Sequence, residues 1–172
     1  MFGKTFFKSI GYYFFAEILC LFLTVTLIML GNLFFKIICV LCCIGVLICL
    51  MINYAINCEK ENRKCGRNQG IKPALIAGLA ASSVYILLYI LLLLAKLQIL
   101  PDSFYRIYKI FNAPFMTLLN FLESGVLASE LSLISIILFF ILSLIPMLTV
   151  MISYTLSAKD MIPEDFMFQR QK

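Results

Sequence analysis

The sequence has no histidine, so it lacks the commonest metal ligand and the usual proton carrier at neutral pH. Charge is scarce too: Asp, Glu, Lys and Arg make up 13% of 172 residues, against about 25% in a soluble domain. No glycine-rich phosphate loop, pair of catalytic carboxylates or serine–histidine arrangement occurs, so hydrolysis and phosphoryl transfer have no support. Apolar residues fill the chain instead: 63% are hydrophobic and the mean hydropathy is +1.03. This composition excludes an ordinary soluble domain and indicates an integral membrane protein.

Four apolar runs stand out, at about 10–30, 37–56, 73–95 and 131–158. Each can cross a hydrocarbon core ~30 Å thick at about 1.5 Å per residue. The last has slack to tilt, to kink at Pro146 or to extend past the lipid. None alternates with the period of a barrel strand, and outside barrels only helices satisfy every backbone group in lipid. The expected fold is all-α, a four-helix transmembrane bundle forming a single integral membrane domain over 1–172. It leaves no room in these residues for a large extramembrane catalytic domain, and no internal repeat is evident.

The net charge of +5 matters less than its distribution. Lys4 and Lys8, then Lys60, Arg63, Lys64, Arg67 and Lys72, then Lys159, Arg170 and Lys172 fall on one side, ten against four (Lys36, Lys96, Arg106, Lys109) on the other. The positive-inside bias places both termini and the 57–72 loop in the cytoplasm. Residues 31–36 then form a tight outward turn joining two antiparallel helices. Lys4 and Lys8 before an apolar run resemble the start of a signal peptide, but no small-x-small cleavage pattern follows, so the run is read as a retained helix.

Residues 96–130 are too polar to cross the membrane and too apolar for an ordinary loop. Pro101, Asp102 and Ser103 mark a helix start. A helical wheel places Phe104, Ile107, Tyr108 and Phe111 on one face and Asp102, Arg106 and Lys109 on the other. The segment at about 102–124 is therefore expected as an outer interfacial amphipathic helix. Asn112, Ala113 and Pro114 interrupt it, and Pro114 can open a second short helix. An interfacial anchor, a lid and a re-entrant hairpin are the three forms open to it.

Glu17 is the one charged residue well inside an expected span. A carboxylate in lipid costs at least ~2.5 kcal/mol, so it should face protein or water. Tyr13, Cys20 and Thr24 share its helical face. Other polar stripes are Cys39, Cys42, Cys43, Cys49 and Asn53; Gly78, Ser82, Tyr85 and Tyr89; and Ser132, Ser135, Ser143, Pro146 and Ser153. Depth counting brings Glu17 level with Cys49 to Asn53, Ser82 to Tyr85 and Pro146 to Thr149, and Glu17, Tyr13, Asn53, Ser82, Tyr85 and Tyr89 make the candidate intramembrane cluster. Small and hydroxyl residues also serve helix packing, which is the plainer account of the stripes.

Cys39-x-x-Cys42 has the spacing of a redox pair, but the second pair that a membrane disulfide-forming enzyme needs is missing from 96–130. Cysteines in apolar runs usually act as small hydrophobes, and two thiols without histidine make no zinc site. The basic residues Lys60, Arg63, Lys64, Arg67 and Lys72 can fix topology, dock a partner or bind anionic headgroups at ~1 kcal/mol each. The sequence calls for no catalytic residue, metal, cofactor or nucleic-acid partner.

Three polar patches occur in order: Glu59, Asn62, Gly66 and Gly70-Ile71-Lys72; Tyr105-Arg106, Asn112 and Pro114-Phe115; Tyr154, Leu156, Lys159 and Glu164. The order resembles a loose group of small uncharacterised four-helix integral membrane proteins of Gram-positive bacteria. That resemblance implies a bacterial cytoplasmic membrane and brings no assigned activity. Ala16-Glu17-Ile18 is similar to the first helix of small multidrug-resistance exporters, in which a glutamate binds proton and cation alternately. This chain differs from them in its longer 96–130 segment and its lack of tryptophan. Two functions are therefore expected: a non-enzymatic accessory protein that binds a membrane-protein partner or protects as an immunity-type protein, or a small proton-coupled carrier of a cationic or amphipathic solute. The carrier would use Glu17, with Tyr85 and Tyr89 as walls, and would form a homodimer.

Overall fold

Six α-helices, with no strand among the described residues, form the fold in a computed structural model that describes residues 2–29, 32–66, 70–125 and 127–159. They are α1 (Phe2–Ile28), α2 (Leu33–Lys64), α3 (Ile71–Lys96), α4 (Phe104–Ile110), α5 (Ala113–Leu122) and α6 (Leu133–Ala158). The four long ones are each long and apolar enough to cross a membrane. The chain is a multi-pass membrane protein built as an all-α bundle.

Side-chain contacts fix the directions. Ser9 Oγ donates to the Ala80 carbonyl and Tyr13 packs on Tyr85, so α1 and α3 run the same way. Cys20 and Cys43 exchange thiol-to-carbonyl bonds at one level, while Lys8 meets Glu61 at another, so α2 runs antiparallel to α1. α6 packs chiefly between α3 and α2. One end of the bundle gathers the start of α1 and the end of α2 with their lysines. The other end carries α4 and α5.

Three boundaries differ from expectation. α1 begins at Phe2, and α2 runs from Leu33 through Lys64, so residues 33–36 of the expected turn and half of the expected 57–72 loop are helix. The polar turns of α2 hold because Glu59 accepts from Arg63 one turn on, at 2.9 Å, and because Arg63 and Lys64 complement the C-terminal dipole. A helix of 32 residues is about 48 Å long, so about 18 Å of α2 must stand outside a ~30 Å hydrocarbon core.

Gly78 sets the closest approach of two spans. A Cβ there would lie 2.9 Å from Met151 Cγ and 3.0 Å from the Met147 carbonyl, so only hydrogen lets α3 lie this near α6. At the start of α6, the Ser132 hydroxyl accepts from the Ser135 N–H at 3.1 Å, a side-chain cap on an otherwise unmet donor.

α4 and α5 make the amphipathic pair expected between the third and fourth spans, but with the buried face turned by about a quarter of the helix. Tyr105, Tyr108, Lys109 and Asn112 are buried, while Ile107, Ile110 and Phe111 are exposed. The expected wheel took water as the solvent on the polar side. Lys109 of the expected polar side turns toward protein, where its charge finds acceptors, while Arg106 stays exposed and Tyr108 of the expected apolar side stays buried. Tyr105 and Tyr108 stack on Phe139 of α6 at 6.0 and 5.9 Å, and Lys109 donates to the carbonyls of Glu123 and Gly125 at 2.9 and 3.0 Å.

Candidate functional site

α1 presents Tyr13, Glu17, Cys20 and Thr24 on one face, at helical spacings of four, three and four residues, and all four are buried. Glu17 lies near the middle of its span, which runs Thr5–Leu27. Its Oε2 accepts the backbone N–H of Ala113, the first residue of α5, at 2.8 Å. A carboxylate at a helix N-terminus meets both an unsatisfied donor and the positive end of the dipole. Pro114 follows with no N–H to offer, which suits the first turn of a helix.

One turn earlier, Tyr13 donates its hydroxyl to the Phe111 carbonyl at 2.5 Å. Two neighbouring groups of α1 thus grip the bend between α4 and α5. Because Glu17 is at mid-span, this bend reaches about the middle of the bundle, and the α4–α5 pair is re-entrant in form. Tyr85 packs beneath this bend, edge-on to Tyr13 at 5.0 Å and to Phe115 at 6.2 Å. Glu17 Oε1 and the Tyr85 hydroxyl are buried without a hydrogen-bond partner among the described residues.

Above Glu17, toward the hairpin end, runs a chain of thiols and hydroxyls. Cys20 and Cys43 each donate to the other's carbonyl; Cys43 and Cys39 approach Thr24 at 3.8 and 3.7 Å; Cys39 meets Thr117 of α5 at 3.4 Å. These contacts tie α5 to α1 and α2. Cys39 is buried and Cys42 exposed, so the Cys39-x-x-Cys42 spacing does not bring two thiols together. The expected α2 stripe divides: Cys39 and Cys43 turn inward, Cys42 and Cys49 outward.

Of the expected cluster, Glu17, Tyr13 and Tyr85 meet around the hairpin tip. Ser82 is buried one turn below Tyr85 and donates to the Gly78 carbonyl at 3.2 Å. Tyr89 lies one turn above Tyr85 and packs on Phe140 of α6 at 5.4 Å. Asn53 lies apart, on the groove between α1 and α2, where it accepts from Asn57 at 3.2 Å. Depth counting placed Asn53 beside Glu17; the Cys20–Cys43 contact places α2 residues nearer 46 there instead.

The lysine-rich end has its own polar network. Glu59 is 1% exposed and holds Arg63 at 2.9 Å and the Ser157 hydroxyl at 3.3 Å, while Asn62 donates to the Tyr154 hydroxyl at 2.9 Å. The end of α2 is thereby locked to the end of α6. Lys60, Lys64 and Lys72 are exposed. Arg67, Glu164, Arg170 and Lys172 lie outside the described residues. Among the described residues no group of three or more His, Cys, Asp or Glu is placed to hold a metal.

Sequence reasoning missed four working residues. Glu123 receives the Ser135 hydroxyl at 2.7 Å and the Ser132 N–H at 3.3 Å, joining the exit of the hairpin to the start of α6. Lys109 lies 4.4 Å over the Tyr105 ring besides its two carbonyl bonds. Asn112 donates to the Tyr108 carbonyl at 2.9 Å, and Thr117 meets Cys39. Pro114 after Asn112-Ala113 was the available signal, since it located the bend.

The arrangement defines a class: a membrane bundle of four spans with a helical pair folded back into it and pinned by a carboxylate. Comparison with protein-family models, with curated proteins and with solved structures finds no match to this chain.

Proposed function

We propose that this is a non-enzymatic accessory protein of a Gram-positive cytoplasmic membrane, with both termini in the cytoplasm, which acts by holding a membrane-protein partner. The carrying observation is an outward strip on α2. Cys42, Gly45, Cys49 and Asn53 follow one another at spacings of three, four and four residues; Cys42 and Cys49 are exposed, and a Cβ on Gly45 would meet nothing within 4 Å. Small residues beside an amide on a lipid-facing side let another helix approach closely and hydrogen-bond. Glu17, by contrast, is engaged inside the bundle with Ala113.

In-cell crosslinking from Cys42 and Cys49 tests this reading. A stoichiometric membrane-protein adduct, lost in a Gly45→Phe variant that keeps its monodisperse elution, supports it. A chain that crosslinks to nothing in cells and elutes alone in mild detergent overturns it.

A second reading has one observation in its favour: Glu17 Oε1 and the Tyr85 hydroxyl are buried polar atoms without a hydrogen-bond partner among the described residues. A proton-coupled carrier of a cationic or amphipathic solute uses such a carboxylate as its exchangeable group. Crosslinking to a second copy of this chain would favour it. Proteoliposome uptake that persists unchanged in Glu17→Gln eliminates it.

A further inference from the structure

At the lysine-rich end, α1 and α2 do not close on each other completely. Lys8 and Tyr12 of α1 face Asn57, Lys60, Glu61 and Lys64 of α2 across a recess of about 300 Å³. The four α2 residues recur at helical spacings of three, one and three, so one face of the helix supplies them all. A second, more open groove shares Lys8 and Tyr12 and continues along Gly11, Phe15, Leu50 and Asn53. The two form one continuous site, charged at one end and mostly apolar at the other.

Its charge is unbalanced. Glu61 is paired with Lys8, which leaves the ammonium groups of Lys60 and Lys64 facing the same recess. Tyr12 accepts from Asn57 Nδ2 at 2.9 Å, which leaves its own hydroxyl hydrogen to donate. The Tyr12 ring is held edge-on to Tyr54 at 5.4 Å, so that donor is fixed in place. A rigid hydroxyl donor beside two ammonium groups matches the oxygens of a phosphate.

Depth selects the source of that phosphate. If the hydrocarbon begins at Leu33, about 20 residues of α2 cross it, and its far edge falls near Asn53. The recess, which starts at Tyr54, lies in the headgroup layer, and the groove along Gly11 and Leu50 lies among acyl chains. Gly11 has nothing within 4 Å of where a Cβ would stand, so the groove is open at that position.

We infer that the cleft between α1 and α2 binds one anionic phospholipid, its headgroup phosphate held by Lys60, Lys64 and Tyr12 and one acyl chain laid along Gly11, Phe15 and Leu50. The site borders the partner strip at Asn53, which lines the groove, while Cys42, Gly45 and Cys49 of that strip do not line it.

The test uses the full-length protein in a neutral detergent, titrated with phosphatidylglycerol, with phosphatidylcholine of the same chains, and with glycerol 3-phosphate, and read by native mass spectrometry. A one-to-one phosphatidylglycerol adduct is expected. Lys60→Gln with Lys64→Gln should weaken it about tenfold or more, at ~1 kcal/mol per lysine. Gly11→Leu should weaken it as well, by filling the acyl groove while every charge stays. Lys72→Gln with Lys159→Gln, an equal charge change outside the cleft, should leave it unaltered. Equal binding of phosphatidylcholine, equal weakening by the outside pair, no effect of Gly11→Leu, or binding of glycerol 3-phosphate as tight as that of the lipid would each overturn the assignment.

Discussion

A carboxylate enclosed by protein at mid-span costs free energy unless its surroundings supply donors, and for Glu17 the donor is the first N–H of α5. The bond works in both directions, because without it the Ala113 N–H would itself be a buried donor with no acceptor. Glu17→Gln keeps an amide oxygen for that N–H and is expected to leave the hairpin seated. Glu17→Leu removes the acceptor and should cost ~1–3 kcal/mol, visible as a lower thermal midpoint in detergent and faster hydrogen exchange at 111–117. Equal stability of the Leu variant would show that the bond contributes nothing. Glu17 could be read from the sequence as a lone charge in an apolar run. Its partner could not, being a backbone group 96 residues away that has no side-chain signature.

Between elements, the exit of the hairpin is fastened to α6 by one acid. The Glu123 carboxyl is held below its ordinary value of 4.5, first by the hydrogen bond from the Ser135 hydroxyl and then by the Ser132 N–H. The folded state therefore favours the ionised form. Its contribution is complete above about 4.5 and is lost as the pH falls through the lower folded value. Protection factors at residues 128–136 should drop on acidification from neutrality to well below 4.5, and the drop should vanish in Glu123→Gln. A pH-independent protection in the native chain would refute the fastening. The four spans were legible because lipid demands long apolar helices. Their ends were not: the last turns of α2 are polar, and composition reads polar residues as loop although i,i+4 pairing keeps them helical. The burial side of α4 was misjudged by about a quarter turn, because Lys109 finds its acceptors, the Glu123 and Gly125 carbonyls, on the protein side.

On the scale of the whole molecule, the two ends differ in kind. One carries Lys60, Lys64 and the Glu59–Arg63–Ser157 lock, the other the loops around α4 and α5. With the lysine-rich end in the cytoplasm, a membrane-impermeant maleimide on intact cells should label a Ser124→Cys chain, while the exposed Cys65 reacts only after lysis. The comparison is made in chains whose Cys42 and Cys49 are alanine, and the reverse pattern would invert the topology. The charge count made the difference between the ends legible. The separation of Asn53 from Glu17 was not, because counting depth assumed helices with matching ends, whereas α2 overruns its neighbours and brings residues near 46 level with Glu17.

α6 has consequences for how the protein is made. Its Phe139 covers Tyr105 and Tyr108, its Ser135 and Ser157 hydroxyls donate to Glu123 and Glu59, and its Tyr154 hydroxyl accepts from Asn62. Synthesis proceeds from the amino end, so three spans and the folded-back pair leave the ribosome before the wall that covers them exists. A nascent chain stopped short of residue 133 would display those aromatics and acids uncovered, which makes delivery of the last segment the step that commits the molecule to its finished form.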